Sequence, residues 1–150
     1  MNMINKEYDI VIHWMVTNFC NFRCFYCCNT NVELFRENSS YNKINIKALS
    51  VFLKKINRIA KIVFSGGEPL LVENIIEAFS EITKNNYMIL ISNLVSTKVK
   101  LLAERINPEK VIIIVGSVHI HELNKYDLLD TFISHYNLLK KKVSKYQQMR

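Results

Sequence analysis

Glycine and proline are scarce in this chain, with three glycines and two prolines among 150 residues. This scarcity excludes collagen-like and Pro/Gly-rich disordered proteins, and a hydrophobic share of 49% indicates an ordered globular fold. Long apolar runs are also missing, since the longest, residues 111–115, is far shorter than the ~20 residues that span a bilayer. Residues 1–9 lack the charged-then-apolar layout of a signal peptide. We therefore expect a single cytoplasmic domain over residues 1–150.

Acidic residues are fewer than basic ones, 13 against 20, which gives a net charge of +7. Basic residues gather near the end of the chain, at residues 140–142 and 145–150. Such a cluster can bind nucleic acid or an acidic partner. The cluster does not resemble the interleaved aromatic and basic residues of a nucleic-acid-binding surface, so we interpret it as a solvated helix face. The sequence predicts no membrane partner and no nucleic-acid partner.

Cysteine is scarce too, yet all four cysteines lie between residues 20 and 28. Cys20, Cys24 and Cys27 have a Cys-x3-Cys-x2-Cys spacing, and soft thiolates select zinc, copper or iron–sulfur. Structural zinc usually takes four ligands from two separated pairs, and Cys28 directly adjoins Cys27, so we expect Cys28 to be a small buried side chain. Three thiolates suit a 4Fe–4S cluster with one iron open to a small ligand. A zinc-binding regulatory domain is the alternative.

Four strand-like segments alternate with four helical patterns. Strands are expected at residues 8–17, 61–65, 88–91 and 110–118, and helices at 45–56, 69–86, 97–106 and 125–146. This alternation predicts an α/β fold of parallel βαβ units with right-handed crossovers. The apolar centre of the first strand is typical of a strand covered on both faces, so His13 is expected in the core. Polar residues follow the strands, at the edge where barrel and open α/β sites lie.

Two motifs together resemble those of the radical S-adenosylmethionine (SAM) enzymes. The family carries Cys-x3-Cys-x-aromatic-Cys after its first barrel strand, and Tyr26 fills the aromatic position. The stretch Phe64-Ser65-Gly66-Gly67-Glu68-Pro69 is similar to the family's second motif, at the end of strand two. The resemblance implies a partial (βα) barrel of about four parallel βα units. The family has six, so the resemblance leads us to expect that residues 1–150 form a single radical-SAM-core-like domain without the last barrel units.

The resemblance also implies the site residues. It implies a 4Fe–4S cluster on Cys20, Cys24 and Cys27. It implies SAM contacts at Tyr26, Gly66, Gly67, Glu68, Pro69, Ser92, Asn93, Ser117 and His119. Without a Cβ, the two glycines would let the backbone approach a ligand closely. Apart from the resemblance, the residues from Ser92 onward are equally typical of solvated strand ends. Phe19, Phe22 and Phe25 are interpreted either as a shield for the cluster or as core.

The implied function is enzymatic. A cluster reduced by one electron, from a reductant such as flavodoxin or ferredoxin, would cleave SAM to methionine and a 5′-deoxyadenosyl radical that abstracts hydrogen from a substrate. The alternative is a truncated, catalytically incomplete cluster-binding module that pairs with another protein. The fourth strand is strongly apolar and no further strand follows it, so we expect association as a homo-oligomer or with a protein substrate.

Overall fold

The computed structural model describes residues 7–27 and 43–147, with side chains as far as Val143. Cys28 and the following residues through 42 lie outside this description. The described elements are β1 (Ile10–Thr17), α1 (Ile46–Ile56), β2 (Ala60–Gly66), α2 (Ile75–Ile82), β3 (Tyr87–Ser92), α3 (Lys98–Arg105), β4 (Val111–Gly116), α4 (Ile120–Lys125) and α5 (Leu129–Gln147). Short 3-10 helices at Pro69–Leu71 and Pro108–Lys110 precede α2 and β4. Among these helices, none has the length and apolar character needed to cross a membrane.

The four strands form one parallel sheet in the order β1-β2-β3-β4. Each strand pairs with the next one along the chain, from Ile10 opposite Ala60 to Ser92 opposite Gly116. This arrangement confirms the predicted α/β fold of four parallel βα units and is consistent with a partial βα barrel. Because all the strands run in one direction, their carboxyl ends lie together at one edge of the sheet.

One face of the sheet packs against the helices. Ile62, Phe64 and Leu90 of the strands join Phe79 of α2 and Leu102 of α3 in a continuous buried core. The rings of Phe64 and Phe79 meet edge to face, with centroids 4.7 Å apart at 71°. This packing holds β2 and β3 against the helices. It therefore determines the position of the carboxyl ends of these two strands.

The opposite face of the sheet is exposed along its two edge strands, β1 and β4, in the described part of the chain. Val11 and Met15 on β1 are 47% and 59% exposed, and Ile113 on β4 is 50% exposed. Burial alternates along β1, so the expectation that this strand is covered on both faces was wrong. His13 is likewise exposed on this face, not in the core as expected. The helices cover one face of the sheet. The other face of each strand stays exposed unless a further element packs on it.

Two predicted helices differ from the observed ones. The helix expected from Pro69 begins only at Ile75, because Pro69 starts a separate 3-10 turn. The helix expected over 125–146 begins only at Leu129, as α5, and the separate helix α4 precedes it. Asp127, whose φ of 54° is left-handed, lies between the two helices. Asn45 caps α1, with its side-chain oxygen accepting a first-turn backbone N–H at 3.0 Å.

We expect the open apolar face to promote association of the chain. Ile113→Thr should weaken that association, since it removes exposed apolar surface while keeping a β-branched side chain. Sedimentation velocity under anaerobic conditions, across a concentration series, measures the effect. Ile133→Thr is the matched control, because Ile133 is 46% exposed but lies on α5 and not on the sheet. A wild-type chain that stays monomeric at the highest concentration would contradict the prediction.

Candidate active site

A cavity of about 350 Å³ opens at the carboxyl edge of the sheet. The predicted residues that line it are Cys20, Cys24, Tyr26, Cys27, Gly66, Gly67, Glu68, Ser92, Asn93, Ser117 and His119. Pro69 is buried at the start of its 3-10 helix and is not part of the lining. A wider groove of about 570 Å³ lies at the opposite edge, near Asp9 and Asn86, and contains none of these residues. The structure therefore brings all but one of the predicted site residues to one place.

The loop after β1, residues 18–27, is called the cysteine loop below. The backbone N–H of Phe22 donates to Sγ of Cys20 at 3.4 Å. The N–H of Cys27 donates to the carbonyl oxygen of Cys24 at 3.1 Å and closes a turn. Cys24 is buried, while Cys20 and Cys27 are half-buried. One short loop thus supplies three sulfur atoms to the wall of a single cavity.

The three phenylalanines of the cysteine loop differ in their surroundings. Phe22 is buried and its ring stacks on that of Tyr126, with centroids 6.2 Å apart and an interplanar angle of 6°. Phe19 and Phe25 are 40% and 79% exposed. Core packing therefore accounts for Phe22, but not for the two exposed rings beside the cysteines.

Cys20 and Cys24 lie in an environment that opposes their ionisation. Burial raises the pKa of Cys20, and the charges of Glu68 and of the neighbouring thiolates raise it further. Burial also raises the pKa of Cys24, with a further increase from Glu122 and Cys27. Ionisation of these two thiols is therefore unfavourable unless a positively charged group lies beside them.

The two glycines of the second motif lie against the backbone at the end of β1 and the start of the cysteine loop. Gly67 N–H donates to the carbonyl oxygen of Thr17 at 2.7 Å, and Glu68 N–H donates to that of Phe19 at 2.8 Å. A Cβ on Gly67 would overlap the Phe19 carbonyl, and one on Gly66, where φ is 122°, would overlap that of Thr17. A side chain at either position would thus collide first with the protein's own backbone. The sequence had instead suggested that the glycines make room for a bound ligand.

Glu68 connects the ends of β2 and β3 through a buried carboxylate that is 1% exposed. Its Oε1 accepts from the Ser92 hydroxyl at 2.8 Å and from Leu70 N–H at 3.0 Å. Its Oε2 accepts from Asn93 N–H at 2.8 Å. Burial raises the pKa of Glu68, and these three hydrogen bonds oppose the increase. Glu68 therefore positions the end of β3, a role that its place in a motif did not predict.

The turn after β3 is held by contacts from both sides. Asn93 Nδ2 donates to Asn21 Oδ1 in the cysteine loop at 2.9 Å. Leu94 has a φ of 57°, and its N–H donates to Ser92 Oγ at 3.0 Å. Its carbonyl oxygen lies 2.7 Å from His135 Nδ1 on α5, and a carbonyl only accepts, so Nδ1 carries the proton. These contacts hold Asn93 against the cysteine loop.

Two hydrogen bonds join the segment from His119 into α4 to the cysteine loop. The Tyr26 hydroxyl lies 2.9 Å from Nδ1 of His119. Burial lowers the pKa of His119, which favours the neutral ring and lets Nδ1 accept a hydrogen bond from the Tyr26 hydroxyl. Glu122 is 7% exposed and its Oε2 accepts the backbone N–H of Arg23 at 3.0 Å.

Sequence reasoning missed Glu122 because the helix that carries it was not predicted. The segment after β4 was taken as a strand end, with a helix beginning only near residue 125. His119 and Glu122 are three residues apart, and this spacing puts two side chains on one side of a helical turn. The spacing of His119 and Glu122 could therefore have indicated that both side chains lie near the same site.

The comparison with known proteins covers this whole site. The model of the radical SAM superfamily matches residues 14–130, which include both motifs and every residue of the cavity wall. The uncharacterized protein MJ0907 of Methanocaldococcus jannaschii is 36% identical over 72 residues, which are 48% of this chain and 24% of that protein. The aligned part is therefore about a quarter of that relative's length. With its parallel sheet, cysteine loop and matching family model, the chain belongs to the radical SAM superfamily.

Gly67→Ala should destabilise the fold and displace the cysteine loop, because the new Cβ would overlap backbone that has no freedom to rotate away. We expect a loss of about 3 kcal/mol in the free energy of unfolding, measured by urea denaturation. Gly116→Ala is the matched control. Its Cβ would meet only side-chain atoms of Leu94 and Phe132, at 2.9 and 3.2 Å, and a side chain can shift more easily. Equal losses in the two variants would contradict this role of Gly67.

Glu68→Ala should also destabilise the fold, because it leaves Ser92 O–H, Asn93 N–H and Leu70 N–H without their acceptor. Each buried donor left unpaired costs about 1–3 kcal/mol, so we expect a total loss of about 3 kcal/mol or more. Glu104→Ala, on the exposed side of α3, should change stability by less than about 0.5 kcal/mol.

The loss of stability in Glu68→Ala should depend on pH. Because burial raises the pKa of Glu68, the folded chain binds this proton more tightly than the unfolded chain, whose value is near 4.5. The stability that this proton contributes is fully present below pH 4.5 and is lost as pH rises through the folded-state pKa. The stability difference between wild type and Glu68→Ala should therefore narrow with rising pH. A difference that widens instead would mean that the carboxylate is stabilised as an anion.

Proposed function

We propose that this chain is a radical SAM enzyme that binds a 4Fe–4S cluster through Cys20, Cys24 and Cys27 and reductively cleaves SAM. The observation that carries the proposal is the single cavity at the sheet edge, whose wall contains the three thiols together with the Gly-Gly-Glu segment and the ends of β3 and β4. A reduced cluster supplies the electron that splits SAM into methionine and a 5′-deoxyadenosyl radical, which takes hydrogen from a substrate.

The three thiols of the cavity wall suit a 4Fe–4S cluster, because such a cluster is held by cysteine thiolates and can keep one iron open to a small ligand. Within residues 7–27 and 43–147, no three His, Cys, Asp or Glu side chains are grouped as they would be around one metal ion. Burial raises the pKa values of Cys20 and Cys24, so a positively charged group beside them, whether a cluster or a single ion, would offset the cost of their ionisation.

The remaining residues of the wall would hold and orient the organic cofactor. The Ser92 hydroxyl is engaged by Glu68 and Leu94, so it positions the turn, while the Asn93 side chain spans the distance to the cysteine loop. Neutral His119 and the Tyr26 hydroxyl provide a polar pair on the cavity wall. Gly66, Gly67 and Glu68 are proposed to contact the cofactor through backbone atoms.

A second candidate is a cluster-binding module that is catalytically incomplete and pairs with another protein. The observation in its favour is the open apolar face of the sheet, with Met15 and Ile113 half exposed or more. Such a surface on a soluble domain is typical of an interaction site. Both candidates require a one-electron donor such as flavodoxin or ferredoxin whenever the cluster is to be reduced.

The test is anaerobic reconstitution with iron and sulfide, followed by incubation with dithionite and SAM. The enzyme hypothesis expects about four irons and four sulfides per chain and release of 5′-deoxyadenosine, detected by chromatography and mass spectrometry. A loaded cluster without 5′-deoxyadenosine would favour the incomplete module. Zinc in place of iron and sulfide would favour a zinc-binding domain and overturn both.

Alanine variants of the cysteines should separate ligands from neighbours. Cys20→Ala, Cys24→Ala and Cys27→Ala should each lose most of the iron and sulfide, since a cluster held by two thiolates dissociates readily. Cys28→Ala is the matched control and should keep the wild-type content. Full iron and sulfide in Cys24→Ala would contradict the ligand assignment.

A further inference from the structure

Glu122 lies outside both family motifs, yet its carboxylate holds the middle of the cysteine loop. Its acceptor contact, at 3.0 Å, is with the backbone N–H of Arg23, the residue directly before Cys24. This contact joins residues that are 99 positions apart in the chain. It is independent of the contact between Tyr26 and His119, which joins the same two segments at another point.

The carboxylate of Glu122 is buried, and among the described residues it forms no salt bridge. Only 7% of the residue is exposed, and the salt bridges of the described region involve Lys43 with Glu73 and Lys84 with Glu81. The Arg23 guanidinium donates instead, through Nη1, to the carbonyl oxygens of Cys20 and Phe22. In the described part of the chain, the Glu122 carboxylate is therefore satisfied by a hydrogen bond to backbone and not by an ion pair.

The charge of Glu122 acts on the groups around the cavity. It is among the causes that raise the pKa of Cys24, after burial, and it also opposes the lowering of the His119 pKa. The proximity itself is geometric, because the 3.0 Å hydrogen bond to Arg23 N–H places the carboxylate beside the residue that directly precedes Cys24. An electron added to a cluster on these thiols would be subject to the same repulsion.

We propose that Glu122 is a positioning residue for the cysteine loop and that its negative charge lowers the reduction potential of the bound cluster. The inference rests on the proposed function. The redox step is the transfer of one electron from dithionite, flavodoxin or ferredoxin to the cluster, with no bond made or broken at Glu122. A fixed negative charge disfavours the more negative, reduced cluster, and net charge near a cluster is one determinant of its potential.

Two substitutions separate the positioning from the charge. Glu122→Gln keeps an oxygen that can accept from Arg23 N–H but removes the charge, so iron and sulfide content should match wild type while the potential moves in the positive direction. Glu122→Ala removes both the acceptor and the charge, so iron and sulfide should be largely lost. Glu104→Gln is the matched control, because Glu104 is an exposed residue on α3 and should leave both quantities unchanged.

The experiment is anaerobic reconstitution of the full chain, iron and sulfide analysis, and a redox titration followed by electron paramagnetic resonance. An unchanged or more negative potential in Glu122→Gln would overturn the role of the charge. Loss of the cluster in Glu122→Gln, or full retention in Glu122→Ala, would overturn the role of the hydrogen bond. A wild-type chain that takes up no cluster would overturn the proposed function and this inference together, whereas a loaded wild type with unaltered variants would overturn only the inference.

Discussion

The site depends on backbone pairing that continues past the ends of β1 and β2. Two hydrogen bonds, Gly67 N–H to Thr17 and Glu68 N–H to Phe19, attach the second motif to the cysteine loop. Only glycine at position 67 permits this approach without overlap. The Glu68 carboxylate then extends the connection to Ser92 and β3. The two motifs that identify the superfamily are thus in direct contact, and each one fixes the other.

The charge distribution of the site is opposite to that of the chain as a whole. The net charge is +7, yet the carboxylates nearest the thiols belong to two buried glutamates, Glu68 and Glu122, which reach the cavity region from β2 and α4. Buried carboxylates without a basic partner are costly unless hydrogen bonds or a cation compensate them. Each has hydrogen bonds to backbone N–H groups. A cationic iron–sulfur core and the sulfonium of SAM would supply the remaining compensation in the proposed complex.

Local patterns were sufficient for the parallel sheet and for the location of the site, because strand periodicity and strand-end residues are properties of short segments. They failed where distant parts of the chain decide the outcome. The exposure of His13 could not be inferred from an apolar strand, since it depends on whether anything packs on the second face. The separation of α4 from α5 at Asp127 depends on one left-handed residue that no periodicity reveals. Glu122 was missed because α4 was not predicted, and its contact with Arg23 joins residues that are remote in sequence.

The contact between Arg23 and Glu122 also has a consequence for how the chain folds. Each strand pairs with its immediate predecessor, so the sheet can grow unit by unit with short loop closures. The contact between residues 23 and 122 instead closes a loop of almost the whole βα array, and the entropic cost of closure rises with loop length. We therefore expect it to form in the final stage of folding. In an incompletely folded chain, the cysteine loop would lack its contact with Glu122. We therefore expect the chain to take up a cluster only after its last βα unit has docked.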